Sequence, residues 1–160
     1  MTNDVEETSI VKNRLSSKTA ALVSSKGIPR LLDLYEKHEI KTTFYFTGTF
    51  AEKHSNSVKL VCENGHEVGC HGYSHLPIHG FDVMTIGQQY AHLSKAKRII
   101  ENIVGPIEAF RAPALRIGYQ TPQILEELGF KTDSSISSQR FDGPMSFGSI
   151  KKLNWIFSPR

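Results

Sequence analysis

Glu67-Val68-Gly69-Cys70-His71-Gly72-Tyr73-Ser74-His75 is the stretch whose reading decides the fold. Val68 and Cys70 are apolar and Gly65 punctuates the chain just before them, so the first half reads as a short strand. Gly72 breaks the run. Two histidines, His71 and His75, then stand four apart where a strand gives way to a loop. Neutral imidazole is a good ligand for zinc and similar divalent ions, and two such nitrogens on one turn can meet one metal. In α/β folds the carboxyl ends of strands are where sites are built. The chain has seven histidines, so this spacing also arises by accident, and the surrounding sequence has to decide.

Outward from this stretch, strand and helix alternate. Toward the N-terminus, Ala51 to Asn64 reads as a helix, with Val58, Leu60 and Val61 apolar. Thr42 to Thr47 is β-branched and aromatic and reads as a buried strand. Pro29 suits a first helical turn, and Ile28, Leu31, Leu32, Leu34 and Tyr35 form a stripe to about His38. Residues 8 to 26 are polar and show little periodicity, which predicts a long loop with one helical turn. Asn3-Asp4-Val5-Glu6-Glu7 reads as a strand end or, alternatively, a solvated acidic turn.

Toward the C-terminus, residues 76 to 84 read as a loop. Thr85 can cap a long helix to about Val104, with Ile86, Tyr90, Leu93, Ala96, Ile99, Ile100 and Ile103 on its apolar side. Ile107 to Arg111 and Phe130 to Ser134 read as strands, with a helix from Thr121 to Leu128 between them. Residues 137 to 149 read as a loop and Leu153 to Phe157 as a last strand. The order implies parallel strands with right-handed crossovers, either a doubly wound sheet or a barrel. About six strands in 160 residues are fewer than a closed eight-unit barrel of about 250 residues needs. The chain reads as a single domain, 1–160, shaped as an unfinished, truncated barrel.

Composition narrows the function. Apolar residues make up 39% and charged residues 22%, which suits a globular domain with a real core. The formal net charge of +3 is weak and the basic residues are scattered, which argues against nucleic acid. Cys62 and Cys70 fit no Cys-x-x-Cys pattern, and both read as small buried residues. No run approaches the roughly 18 apolar residues of a membrane span, and no signal peptide is visible. As written, the chain reads as a cytoplasmic protein.

The polar residues sort by position. Asp4, Glu6, His71, Arg111 and Asp133 each fall near the end of a predicted strand, and in a parallel barrel those ends converge on one face. The other histidines, His38, His54, His66, His79 and His92, read as bystanders, three of them on helices that a barrel places outside.

On these residues the chain resembles the polysaccharide deacetylases, the NodB-homology domain of carbohydrate esterase family 4. Residues 27–34 and 41–48 resemble the family's first helix and second strand. His71-Gly72-Tyr73-Ser74-His75 is similar to its His-[Ser/Thr]-x-x-His metal motif, with Gly72 in place of the hydroxyl residue. Phe110-Arg111-Ala112-Pro113 resembles its Arg-x-Pro motif, and residues 129–135 resemble the segment around its next acidic motif. The usual Thr-Phe-Asp-Asp-Gly is replaced by Thr2-Asn3-Asp4-Val5-Glu6-Glu7, similar to an Asp-Val-Asp/Glu variant.

The resemblance implies an irregular parallel-strand (β/α) barrel and metal-dependent hydrolysis of N-acetyl groups on amino-sugar polymers. It implies one divalent ion, zinc by preference, on Glu6, His71 and His75, with Glu7 as the alternative acid. It implies Asp4 as the base, Arg111 as the residue that holds a nearby acid, and Asp133 as a third catalytic residue. Backbone N–H groups near Ala114, where the family often has Tyr, would meet the oxyanion. The family's late Leu-x-His motif does not occur in the 160 residues. An inactive sugar-binding paralogue and a hydrolase of another C–N bond are the alternatives on the same fold.

Overall fold

The β-branched and aromatic run Thr43–Phe46 sits within a parallel sheet, and the intervening apolar stripes cover it. The structure, a computed structural model, describes residues 1–9 and 14–136. Five strands form the sheet: β1 (Thr2–Val5), β4 (Thr43–Phe46), β5 (Glu67–Cys70), β6 (Ala109–Phe110) and β7 (Thr132–Asp133), in the order β1-β4-β5-β6-β7. All four pairings are parallel. Among the described residues, β1, β4, β5 and β6 are each followed by helix before the next strand of the sheet, to which each pairs, which is the repeat of a parallel (β/α) barrel. The predicted loop 137–149 and strand 153–157 lie outside the described residues.

Two expectations fail here for local reasons. The described part of 8–26 holds more than the expected loop with one helical turn. It contains β2 (Thr8–Ser9) and β3 (Arg14–Leu15) paired antiparallel, a helix α1 (Ser17–Leu22) and a wide π-type turn over Val23–Gly27. Ser16 caps α1 by accepting the Thr19 N–H at 3.2 Å, and Ala20 alone is buried, so the helix leaves no apolar stripe to read. The single helix predicted over 51–64 is two, α3 (Gly48–Lys53) and α4 (Ser55–Glu63), broken at His54. Phe50, Ala51, Val58 and Val61 share one helical phase, so periodicity cannot see the break. The His54 backbone leaves the helical region, and its ring packs on Phe50 with centroids 4.8 Å apart.

Elsewhere the pattern holds. α2 (Ile28–Lys37) buries Ile28, Leu32 and Tyr35, although Leu34 is exposed. α5 (Ile86–Val104) begins at Thr85 with a reciprocal cap: Thr85 Oγ1 accepts the Gln88 N–H, and Gln88 Oε1 accepts the Thr85 N–H. α6 (Thr121–Glu127) follows. Phe44, Phe46, Phe50, Phe81, Phe110, Leu93 and Ile100 are fully buried between sheet and helices. Each such side chain stabilises the fold by roughly 1.5–3 kcal/mol through burial.

The first turn of α5 departs from its predicted stripe. Ile86 and Tyr90 face solvent, and Gln89 and His92 are buried instead. Gln89 donates to Met84 O at 3.0 Å and accepts the Thr121 hydroxyl at 2.8 Å. The helix there packs on polar loops beyond the strand ends, so satisfied polar groups replace apolar ones. Cys70 is buried, and burial pushes its thiol up to about 12. Cys62, predicted buried, is exposed on α4. Among the described residues no helix is long and apolar enough to cross a membrane.

Candidate metal centre

Strand register builds this site. Val5, Phe46, Cys70, Phe110 and Asp133 form one row across the sheet. His71 and Arg111 follow one residue beyond the row, where the chain leaves β5 and β6. Their backbones continue the ladder, His71 N donating to Phe46 O at 2.7 Å and Arg111 N to Cys70 O at 2.9 Å. Glu6 follows β1. His75 returns to the same place through the loop after β5.

Glu6, His71 and His75 each present a ligand atom within 4.8 Å of the other two. His75 Nε2 lies 3.4 Å from Glu6 Oε2. Two ligands about 2.1 Å from one tetrahedral ion stand roughly 3.4 Å apart, so this pair already has the required spacing. His71 is 1% exposed, and burial lowers its pKa to about 4, which keeps the ring neutral. Its Nδ1 lies 2.8 Å from the Arg111 carbonyl. A carbonyl only accepts, so Nδ1 carries the proton and the Nε2 lone pair is left for the site. Two imidazoles and a carboxylate are therefore a donor set that could hold zinc or a similar ion with a position left open. Glu7, the alternative acid, is absent from this cluster. It is buried and paired with Lys53 at 2.9 Å.

Asp4 stands beside the cluster. Its Oδ1 accepts from Arg111 Nη1 at 2.8 Å, and its Oδ2 is 3.9 Å from His71 Nε2. Arg111 is fixed in turn. Its Nε and Nη2 donate to Ser134 O and Ser134 Oγ at 3.3 and 2.6 Å, and its guanidinium lies over the Tyr45 ring at 4.6 Å. Asp133 is brought near Arg111 but makes no direct bond to Asp4, Glu6, His71 or His75 among the described residues. Its carboxylate accepts from the Ser135 N–H and hydroxyl, and Ser135 Oγ accepts the Ala112 N–H at 2.8 Å. The residue as a whole is exposed, yet its carboxylate is crowded by protein. Desolvation raises its pKa against the opposing Ser135 bonds and the Arg111 charge.

The loop between the two histidines is clamped. Gly48 N and Thr49 N, at the start of α3, donate to Gly72 O and Tyr73 O at 2.9 Å. His92 Nε2 accepts the Tyr73 N–H at 2.8 Å, and Ser74 Oγ bonds His79 Nδ1. Gly72 has φ +69°, and a Cβ there would stand 3.3 Å from His92 Nε2 and from Pro113 Cγ. Glycine suits this position, where the turn is left-handed and closely approached. His92, expected on an outward-lying helix, is buried instead, and both it and His66 lie outside the ligand cluster. His66 is buried, accepting the Thr42 N–H and packing on Tyr35 and Phe44. No sequence signal marks His92, because its partner Tyr73 lies nineteen residues away; Ser134 and Ser135 fall in the segment around Asp133, but their bonds to Arg111 and Ala112 span 23 residues.

His92 also makes a pH prediction. Burial holds it neutral, with its pKa lowered to about 4. Between about 6.5 and about 4 the unfolded chain therefore binds a proton that the folded chain refuses. Stability is fully present above that window and falls as pH drops through it. In metal-free protein, urea denaturation at pH 7 and pH 5 should show a loss to which His92 contributes up to about 2 kcal/mol. His92→Gln, which can still accept the Tyr73 N–H, should shrink that loss by a similar amount. An unchanged loss would remove His92 as its source.

Comparison with known proteins now bears on the site. The profile of the family Polysaccharide deacetylase matches residues 17–132. The chain is 36% identical over 117 residues to the peptidoglycan deacetylase of Helicobacter pylori, covering 72% of this chain and 39% of that protein. A Mycobacterium smegmatis structure classed as a polysaccharide deacetylase superposes with a TM-score of 0.74 at 26% identity, over 85% of this chain and 50% of the other. The fold is shared with BA3943 of Bacillus anthracis, a pseudoenzyme of carbohydrate esterase family 4, at a TM-score of 0.62 and 23% identity, over 66% of this chain and 37% of the other. This chain belongs to the polysaccharide deacetylase family. It spans 39% of the Helicobacter relative and half of the Mycobacterium one. The matched segment includes His71, His75 and Arg111; Asp4 and Glu6 precede it and Asp133 follows it.

Proposed function

We propose that this protein is a metal-dependent hydrolase that removes N-acetyl groups from amino-sugar polymers of the peptidoglycan type. The observation that carries the reading is the convergence of Glu6, His71 and His75 beside an Asp4 carboxylate held by Arg111. Glu6, His71 and His75 would hold the ion, zinc by preference. When bound, such an ion polarises the scissile carbonyl and acidifies water. Asp4 accepts the proton of the attacking water on Oδ2, since Oδ1 is committed to Arg111. Arg111 orients Asp4 through the 2.8 Å bond from Nη1 to Oδ1. Asp133 positions Ala112 through Ser135. Backbone N–H groups around Ala114 stabilise the oxyanion.

Two measurements test this. Metal analysis of the purified protein should show one divalent ion per chain, lost in the His71→Ala, His75→Ala double variant. Unchanged metal content would remove the ligand assignment. Acetate release from peptidoglycan fragments tests the chemistry. Binding of those fragments with no release by metal-loaded protein would instead support the sugar-binding reading that the BA3943 fold likeness raises.

A further inference from the structure

Beside His75 lies a pocket of about 190 Å³, walled by Leu76, Pro77, Gly80, Pro113, Ala114 and Arg116. That is more than ten times the roughly 10–15 Å³ that admits one water. Its wall is mostly apolar and carries one full charge, Arg116. The guanidinium is built into the loop. Nε pairs with Asp82 Oδ1 at 2.8 Å and Nη1 donates to Pro77 O at 3.3 Å. Gly80 makes this seat, since a Cβ there would stand 2.8 Å from Arg116 Cζ and 2.9 Å from Nη1. Nη2 has no protein acceptor among the described residues.

The chain entering Arg116 is strained. Ala114 and Leu115 sit at φ 52° and 55°, left-handed conformations that residues with a Cβ avoid. Such strain persists only where the surroundings enforce it, and it concentrates at ligand clamps. Here the bend brings Arg116 back against Pro77 and Asp82. Ala114 and His75 both line the pocket, which joins it to the ligand cluster.

We infer that this pocket receives a carboxylate-bearing substituent of the amino sugar being processed, and that Arg116 is the residue that reads it. The inference rests on the deacetylase reading above. A planar guanidinium held through Nε by Asp82 and through Nη1 by Pro77 O, with no protein acceptor on Nη2 among the described residues, suits a second carboxylate. Apolar neighbours reduce the water competing for that contact. Asp82 opposes the incoming charge, so the preference is moderate and tunable.

The test is binding of two N-acetylated disaccharides that differ only in a 3-O-(1-carboxyethyl) ether, measured by calorimetry. A third disaccharide, with that carboxyl amidated by a dipeptide bearing a free C-terminal carboxylate, separates a sugar acid from a peptide acid. The protein should bind an acidic ligand about tenfold more tightly than the neutral one. Arg116→Gln should abolish the difference while leaving the neutral ligand's affinity unchanged, which also shows that the variant is folded. Asp82→Asn, which keeps an acceptor for Nε and removes the opposing charge, should widen it. Preference confined to the peptide acid supports the pocket and assigns its source. Equal binding of acidic and neutral ligands, or a preference that survives Arg116→Gln, overturns the inference and leaves the deacetylase reading standing. Failure to bind any of the three overturns both.

Discussion

Asp4→Asn is expected to lower acetate release by about 10²–10⁴-fold while metal content stays intact, the range that general-base catalysis typically contributes. The substitution keeps size and polarity. Asn can still accept from Arg111 Nη1 through its amide oxygen, the contact Asp4 makes at 2.8 Å. What disappears is the proton acceptor on the side facing His71 Nε2, 3.9 Å away. Glu6→Gln should fail differently. Glu6 is the carboxylate within ligand distance of both histidines, so metal affinity itself should fall and excess metal should recover part of the rate. Metal titration followed by acetate assay of both variants separates the two roles. Equal loss of metal in both would make Asp4 a ligand as well. Full activity in both would leave the acidic segment without a chemical role.

Arg111→Met should damage stability and turnover together. The methionine retains apolar volume and loses every charged contact of a side chain that is only 15% exposed. Ser134 O and Ser134 Oγ lose their donor, and Asp4 is left as an uncompensated carboxylate beside the cluster. Removing one partner of a buried pair costs about 3–5 kcal/mol. Asp4 keeps 37% of its side-chain surface, so water returns part of that, and a loss of about 2 kcal/mol is expected. Arg111→Lys should restore little, because a single ammonium cannot span Asp4 and Ser134 at once. Chemical denaturation reads the first effect and acetate release the second. A stable Arg111→Met variant with normal turnover would show that Asp4 needs no partner.

Much of this was legible along the chain. The run Thr43–Phe46, the break at Gly72, the His71/His75 spacing and the Thr85 cap are local signals. Strand alternation, helix capping and the spacing of the two histidines depend on neighbours in sequence. Alternation of strand and helix then implies parallel strands whose carboxyl ends meet, which is why distant Asp4, His71 and Arg111 could be expected on one face.

Side-chain direction and long-range contact were decided only in three dimensions. Adjacent residues leaving a strand point to opposite sides, so Glu6 turns to His75 while Glu7 turns under α3 to Lys53. Composition cannot separate two neighbouring glutamates. The break at His54 is invisible because both helices share a phase, and His92 is inward-facing because loops, not strands, cover the first turn of α5. Arg116 acquires its seat from Gly80 and Asp82, more than thirty residues earlier. The sequence by itself determined the strand–helix order and the candidate ligand types. Tertiary structure alone decided which of those groups face one another, because burial and pairing depend on residues that only the folded chain brings into contact.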